Sequence, residues 1–275
     1  MRREHVTIGH KKISYLISEP SARATRQQPL RTVVFLHAFP LQAAMWEPTL
    51  GAVPDGWRAV APDFRGFGES ALPFGEAHGM SEIAGDVIDL LDHLGVSQAA
   101  IVGCSMGGYV LFEMMRSAPR YVSALGLVST RPGADSNEGR KNRQKMIEQV
   151  DSEGVGVIST QMLTKLVGVN TQANRPDLMK RLRNLIEGNT RPAIKGALTA
   201  MMNRVDSTPM LANIKAPTLV VAGIEDTLIL PSEAEAMHRG IPNAECEMIA
   251  FAGHLPNLEQ PTPFEARLWQ FLQKI

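Results

Sequence analysis

The chain has 275 residues, 44% of them hydrophobic and 20% charged, and its 28 basic and 28 acidic side chains leave a formal net charge of zero. That balance excludes a disordered chain and a basic nucleic-acid-binding surface, while the length admits one large α/β domain or two smaller ones. Two cysteines, Cys104 and Cys246, are too few for a disulfide framework and lack the C-x-x-C spacing of metal or redox sites.

The opening "MRREHVTIGHKKISYLIS" alternates polar and apolar residues, which predicts a hairpin of strands over 5–9 and 12–18. It lacks the continuous apolar region of a signal peptide, and no later stretch reaches transmembrane length, so a cytoplasmic protein without a membrane partner is expected. "RATRQQP" (23–29) is a polar connection. Short runs rich in Val, Ile, Leu and Ala follow at 32–37, 58–63, 99–103, 124–129, 218–223 and 246–251. Runs apolar on both faces suit parallel strands covered by helices. Helical patterns at 42–51, 80–95, 106–118, 231–240 and 262–274 separate most of them. The expected fold class is therefore α/β, a mostly parallel sheet flanked by helices, with ligands bound beyond the carboxyl ends of the strands.

From 131 to 215 the alternation stops, and four helical segments are predicted near 138–151, 153–168, 176–188 and 191–203. This predicts a helical insertion (131–215) in a core made of 1–130 and 216–275. The insertion carries 14 basic and 8 acidic residues, a net of +6 against −6 for the rest. A solvated helix face accounts for the excess; steering of anionic substrates is the alternative.

The chemistry gathers at strand ends. The strand at 99–103 runs into Gly103-Cys104-Ser105-Met106-Gly107, a G-x-S-x-G at a strand-to-helix turn. Such a turn lifts a serine Oγ clear of the sheet, and flanking glycines let neighbouring backbone approach. A serine nucleophile needs a base, and His254 in "FAGHLPNLEQP" follows the last strand. His5, His10, His78, His93 and His238 fall in terminal, loop or helical stretches and read as solvated or packing side chains. Asp226, just past the strand at 218–223, is the candidate acid to orient the base, with Glu225 and Asp135 as rivals. The order Ser, Asp, His is that of one of the unrelated triad folds. Backbone amides of Met106 and of Phe39, in "LHAFPLQ", are the candidate oxyanion donors. Trp46, Tyr109 and the insertion's methionines, Met162 among them, are candidate pocket walls. Nothing in these motifs calls for a metal or a cofactor.

From about residue 12 onward the chain resembles the α/β-hydrolase family, in the type with a small helical cap. The resemblance rests on "HAFP" (37–40), "DFRGFGES" (63–70), "GCSMGG" (103–108), "GIEDTLILP" (223–231) and "GHLPNLEQP" (253–261) in that order. It implies Ser105 as nucleophile, His254 as general base, Asp226 as its orienting acid, Phe39 and Met106 as oxyanion hole, and 131–215 as cap. It assigns Asp63 and Arg65 a structural role. The family's usual His-Gly is His37-Ala38 here. A serine rather than an aspartate nucleophile argues against dehalogenase and epoxide-hydrolase chemistry and for attack on acyl carbon. The resemblance thus implies hydrolysis of small carboxylic esters or lactones through an acyl-enzyme. Perhydrolase or haloperoxidase-type activity, C–C bond hydrolysis and a hydrolase-like small-molecule receptor are the competing expectations.

Overall fold

The opening alternation folds as two antiparallel strands, β1 (Arg2–Ile8) and β2 (Lys11–Ser18), which meet at Gly9, a turn residue with φ of 61° that glycine adopts without steric penalty. The structure is a computed structural model describing residues 1–19, 30–72 and 78–275; the connection expected at 23–29 lies outside the described residues. The apolar runs become β3 (Arg31–Leu36), β4 (Trp57–Pro62), β5 (Ala99–Cys104), β6 (Val122–Val128), β7 (Thr218–Gly223) and β8 (Glu245–Ile249). β5 and β7 are buried along their whole length, as expected of strands covered on both faces.

Among the described residues eight strands form one sheet in the order β1-β2-β4-β3-β5-β6-β7-β8. β1, β2 and β4 pair antiparallel and all later pairs are parallel. The chain leaves β3 for β4 on one side and returns to β5 on the other. Loops leaving the carboxyl ends of β3 and β5 therefore diverge and open a crevice between them, the place where such sheets bind ligands. Helices Met80–His93 and Met106–Ser117 pack on each other, as do Glu47–Gly51 and Pro261–Leu272.

Between β6 and β7 the chain forms five α-helices, Asn137–Glu153, Gly156–Met162, Val169–Asn174, Pro176–Glu187 and Arg191–Met202. Their starts follow local chemistry. Ser136 Oγ accepts from the Gly139 amide at 3.1 Å and Thr190 Oγ1 from the Ala193 amide at 3.3 Å, satisfying donors that a helix start leaves free. Leu178, Leu182 and Ile186, spaced four apart, bury one stripe of the helix Pro176–Glu187.

Three expectations need correction. The predicted helix at 42–51 is a 3₁₀ turn, Ala43–Trp46, followed by the α-helix Glu47–Gly51, because Pro48 has no N–H to continue one ladder through both. A short helix, Val169–Asn174, occupies residues read as a connection. Its start is fixed from outside, by a bond between the Gly168 amide and the distant Glu259 carboxylate at 2.7 Å. The last strand ends at Ile249, two residues earlier than expected, and Phe251 lies exposed beyond it with φ of 56°.

Candidate active site

β5 delivers its last residue, Cys104, to a turn at which Ser105 takes φ 52° and ψ −111°, a conformation L-residues rarely hold, and the helix Met106–Ser117 starts at the next residue. The bend is possible because its neighbours lack side chains. A Cβ on Gly103 would stand 2.4 Å from the Gly107 carbonyl oxygen, and one on Gly107 would stand 2.3 Å from that of Leu36. The strained turn is held by the bond from the Ser105 amide to the Val128 carbonyl (2.8 Å) and from Thr130 Oγ1 to the Ser105 carbonyl (2.8 Å). Every backbone polar group of Ser105 is thus occupied by the scaffold, and its hydroxyl is left to the cavity it lines.

Asp226 and His254 come from loops after β7 and β8 and meet with Nδ1 of His254 2.8 Å from Oδ2 of Asp226. A carboxylate can only accept here, so Nδ1 carries the proton and Nε2 is left as the basic nitrogen. The other carboxylate oxygen of Asp226 accepts from the amides of Leu228 (2.8 Å) and Ile229 (3.0 Å), which fixes its rotation. His254 lines the same cavity as Ser105. Neither rival acid reaches the imidazole. Glu225 turns to the Asn170 amide (3.4 Å), and the buried Asp135 is bonded to Arg131, Arg143 and Arg204.

The loop after β3 carries Phe39, and neither its amide nor that of Met106 has an acceptor among the described residues. For Met106 this follows from its place at the first position of a helix, where no residue one turn back can accept. Two N–H groups unused by the fold suit charge developing on an acyl oxygen. Asp63 braces this loop by accepting from the Ala43 amide at 2.8 Å, and Arg65 grips Asp86 through two bonds of 2.7 and 2.8 Å.

His37, fully buried behind the loop, accepts from the Phe64 amide at Nε2 (3.0 Å) and so donates from Nδ1 to the Ala38 carbonyl (3.1 Å). Burial pulls its pKa down to about 4, which keeps it neutral. A depressed imidazole pKa means that the unfolded chain binds the proton more tightly. The stabilisation is therefore complete above the ordinary value of 6.5 and is lost as pH falls towards 4. Loss on the order of 3 kcal/mol is expected from this residue over that window. Denaturant titrations at pH 7.5, 5.5 and 4.5 should show it, with a flatter dependence in His37→Asn; equal slopes would mean that His37 is not held neutral.

The cavity has a volume of about 330 Å³. Its floor includes Ser105, His254 and Phe39; Tyr109, Met146, Met162, Met201, Leu228 and Ile229 form apolar walls; Arg131, Asp135, Arg143 and Lys165 lie on a charged one. Of the three candidate wall residues, Tyr109 and Met162 line the cavity and Trp46 does not. The Trp46 indole is fully buried against Phe35 (centroids 4.9 Å apart) and Phe264 (6.1 Å), because aromatic surface at that position meets the sheet core. Cys104 is a packing residue. Its fully buried thiol lies 3.9 Å from the His254 carbonyl, and burial pushes the thiol pKa far up.

Two positioning residues escaped the sequence reading. Glu259 is buried and accepts through Oε1 from the amides on either side of His254, those of Gly253 (2.8 Å) and Leu255 (3.2 Å). Through Oε2 it holds Gly168 in the inserted helices, so it ties the histidine loop to them. Asn189 donates to the Pro40 carbonyl (2.9 Å) and accepts from the Gly68 amide (3.1 Å), joining the insertion to the loop that carries Phe39. The only local signal was Glu259 within "GHLPNLEQP"; Asn189 had none.

A family model described as alpha/beta hydrolase fold matches residues 31–261. Among solved structures, a thermophilic esterase from Thermogutta terrifontis, malate bound, is similar with a TM-score of 0.91 and 32% identity, covering 100% of this chain and 99% of that one. The enol-lactonase from Burkholderia xenovorans LB400 shares the fold, with a TM-score of 0.88, 21% identity and coverage of 98% and 100%. In sequence, 3-oxoadipate enol-lactonase 2 of Acinetobacter baylyi is 23% identical over 232 residues, 84% of this chain and 85% of the relative. No described helix is long and apolar enough to cross a membrane.

Proposed function

The chain belongs to the α/β-hydrolase fold family, and on that premise we propose that it is a cofactor-free serine hydrolase of small carboxylic esters, lactones included. Ser105 Oγ attacks the acyl carbon while His254 Nε2 takes its proton, and Asp226 holds the imidazole in the tautomer that makes this possible. The oxyanion rests on the Phe39 and Met106 amides. Collapse of the tetrahedral intermediate breaks the C–O bond, and the leaving alkoxide takes the proton back from His254. Water, activated by the same nitrogen, then releases the acid and restores Ser105.

The observation that carries this reading is the 2.8 Å contact between His254 Nδ1 and Asp226, made beside a strained serine that opens into the same cavity. The esterase and enol-lactonase relatives support ester and lactone carbonyls as the class attacked. We further propose that 131–215 acts as a cap on a core of 1–130 and 216–275; most residues lining the cavity come from it, which supports a role in choosing substrates.

A p-nitrophenyl ester chain-length series tests the reading, run beside intact mass spectrometry after a serine-directed phosphonate. Repeated turnover of short acyl chains and a single adduct on Ser105 are expected. Absence of both would overturn the proposal, and an adduct or ligand-dependent melting shift without repeated turnover would favour a binding protein.

A further inference from the structure

One wall of the cavity carries more positive charge than its surroundings neutralise. The Asp135 carboxylate, almost wholly buried, accepts from Arg131 Nη2 at 3.0 Å and Arg204 Nη1 at 2.6 Å through one oxygen and from Arg143 Nε through the other. Three guanidinium groups around one carboxylate leave two positive charges in excess. Arg204 is spent on the scaffold, since it also donates to the Met201 (2.8 Å) and Gly133 (2.7 Å) carbonyls and lies over the Tyr109 ring at 4.1 Å. Arg131 and Arg143 differ, because both line the cavity and Nη1 of each has no acceptor among the described residues. Nε of Arg131 is buried without a partner. Lys165, also on the lining, has no carboxylate partner among the described residues.

A solvated helix face would leave such groups in water, whereas Arg131 and Arg143 are half-buried on the cavity lining, where Asp135 is the one carboxylate among the described residues that line it. Burial pushes the Asp135 carboxyl up, but Arg143 and Arg204 outweigh that and hold it below its ordinary value, so the carboxylate persists as the fixed anchor of the cluster. Guanidinium groups whose one edge is pinned and whose other edge is free are preorganised for a second carboxylate.

We propose that Arg131, Arg143 and Lys165, organised by Asp135, form a carboxylate subsite, so that the preferred substrates are short esters or lactones bearing a second, free carboxylate. This rests on the hydrolase reading above. The apolar walls formed by Met146 and Met162 would flank the chain joining the two ends, and the volume of about 330 Å³ restricts that chain to a short one.

Methyl hydrogen adipate and methyl hexanoate share a chain length and differ in the terminal charge, so the ratio of their kcat/KM values reads the subsite. A ratio of at least about tenfold in favour of the half-ester is expected, falling about tenfold in Arg143→Gln and by a smaller factor in Lys165→Gln; tenfold corresponds to about 1.4 kcal/mol. The exposed Lys165 supplies a second variant should Arg143→Gln fold poorly. Protection of Ser105 from phosphonate labelling by adipate, against the neutral hexanamide, gives a readout independent of turnover. Equal handling of the two esters, or protection no better by adipate than by hexanamide, overturns the subsite while leaving the hydrolase standing. No turnover together with no adduct overturns the hydrolase reading instead.

Discussion

Ser105→Ala is expected to lower kcat/KM for a p-nitrophenyl ester by about 10⁶-fold, to the level of the uncatalysed reaction plus whatever the remaining site supplies. The fold should survive with a melting temperature within about 3 °C of wild type. The reason lies in how the turn is held. Its bonds run through the backbone of Ser105, to Val128 and from Thr130, and its bend is permitted by Gly103 and Gly107. The hydroxyl takes no part, so its removal subtracts the nucleophile and nothing structural. Activity within a few-fold of wild type, confirmed on protein free of wild-type carry-over, would sink the acyl-enzyme mechanism.

Asp226→Asn should lower kcat by about 10⁴-fold with substrate binding little changed. Asparagine has one oxygen, and the Leu228 and Ile229 amides demand an acceptor at the position of Oδ1. The amide nitrogen is thereby turned to His254, where it donates to Nδ1 and forces the proton onto Nε2, the nitrogen that must accept from Ser105. The variant therefore holds the wrong tautomer by design of its surroundings, not through loss of contact. Glu225→Gln is the matched control, since that side chain points to the Asn170 amide. A collapse in the control with near-normal Asp226→Asn kinetics would move the acid by one residue.

Much of this is legible in the sequence itself. The apolar runs were short and covered on both faces, and helical spacing lay between them, so a sheet flanked by helices followed from periodicity alone. The elbow was legible because its geometry is carried by adjacent residues: a polar side chain between glycines at the end of a strand can bend in few ways. Asp226 and His254 were legible for a related reason, as each sits immediately past its strand and strand ends converge in this architecture.

Other features depended on partners far along the chain. Trp46 closely follows the loop that carries Phe39, yet its ring turns into the core because Phe35 and Phe264 offer apolar surface there. Asp135 lies just ahead of the first inserted helix, and nothing local marks it for burial, yet Arg143 and Arg204 from further along the insertion close over it. Glu259 braces the histidine loop through the amides on both sides of His254 and ties it to Gly168. Local patterning thus specified the order of strands and helices, the serine turn and the places of Asp226 and His254 just past their strands, because spacing and turn chemistry are properties of neighbouring residues. The charged wall of the pocket and the braces around His254 were decided only by folding, because a buried charge acquires its partners from whatever distant segment packs against it.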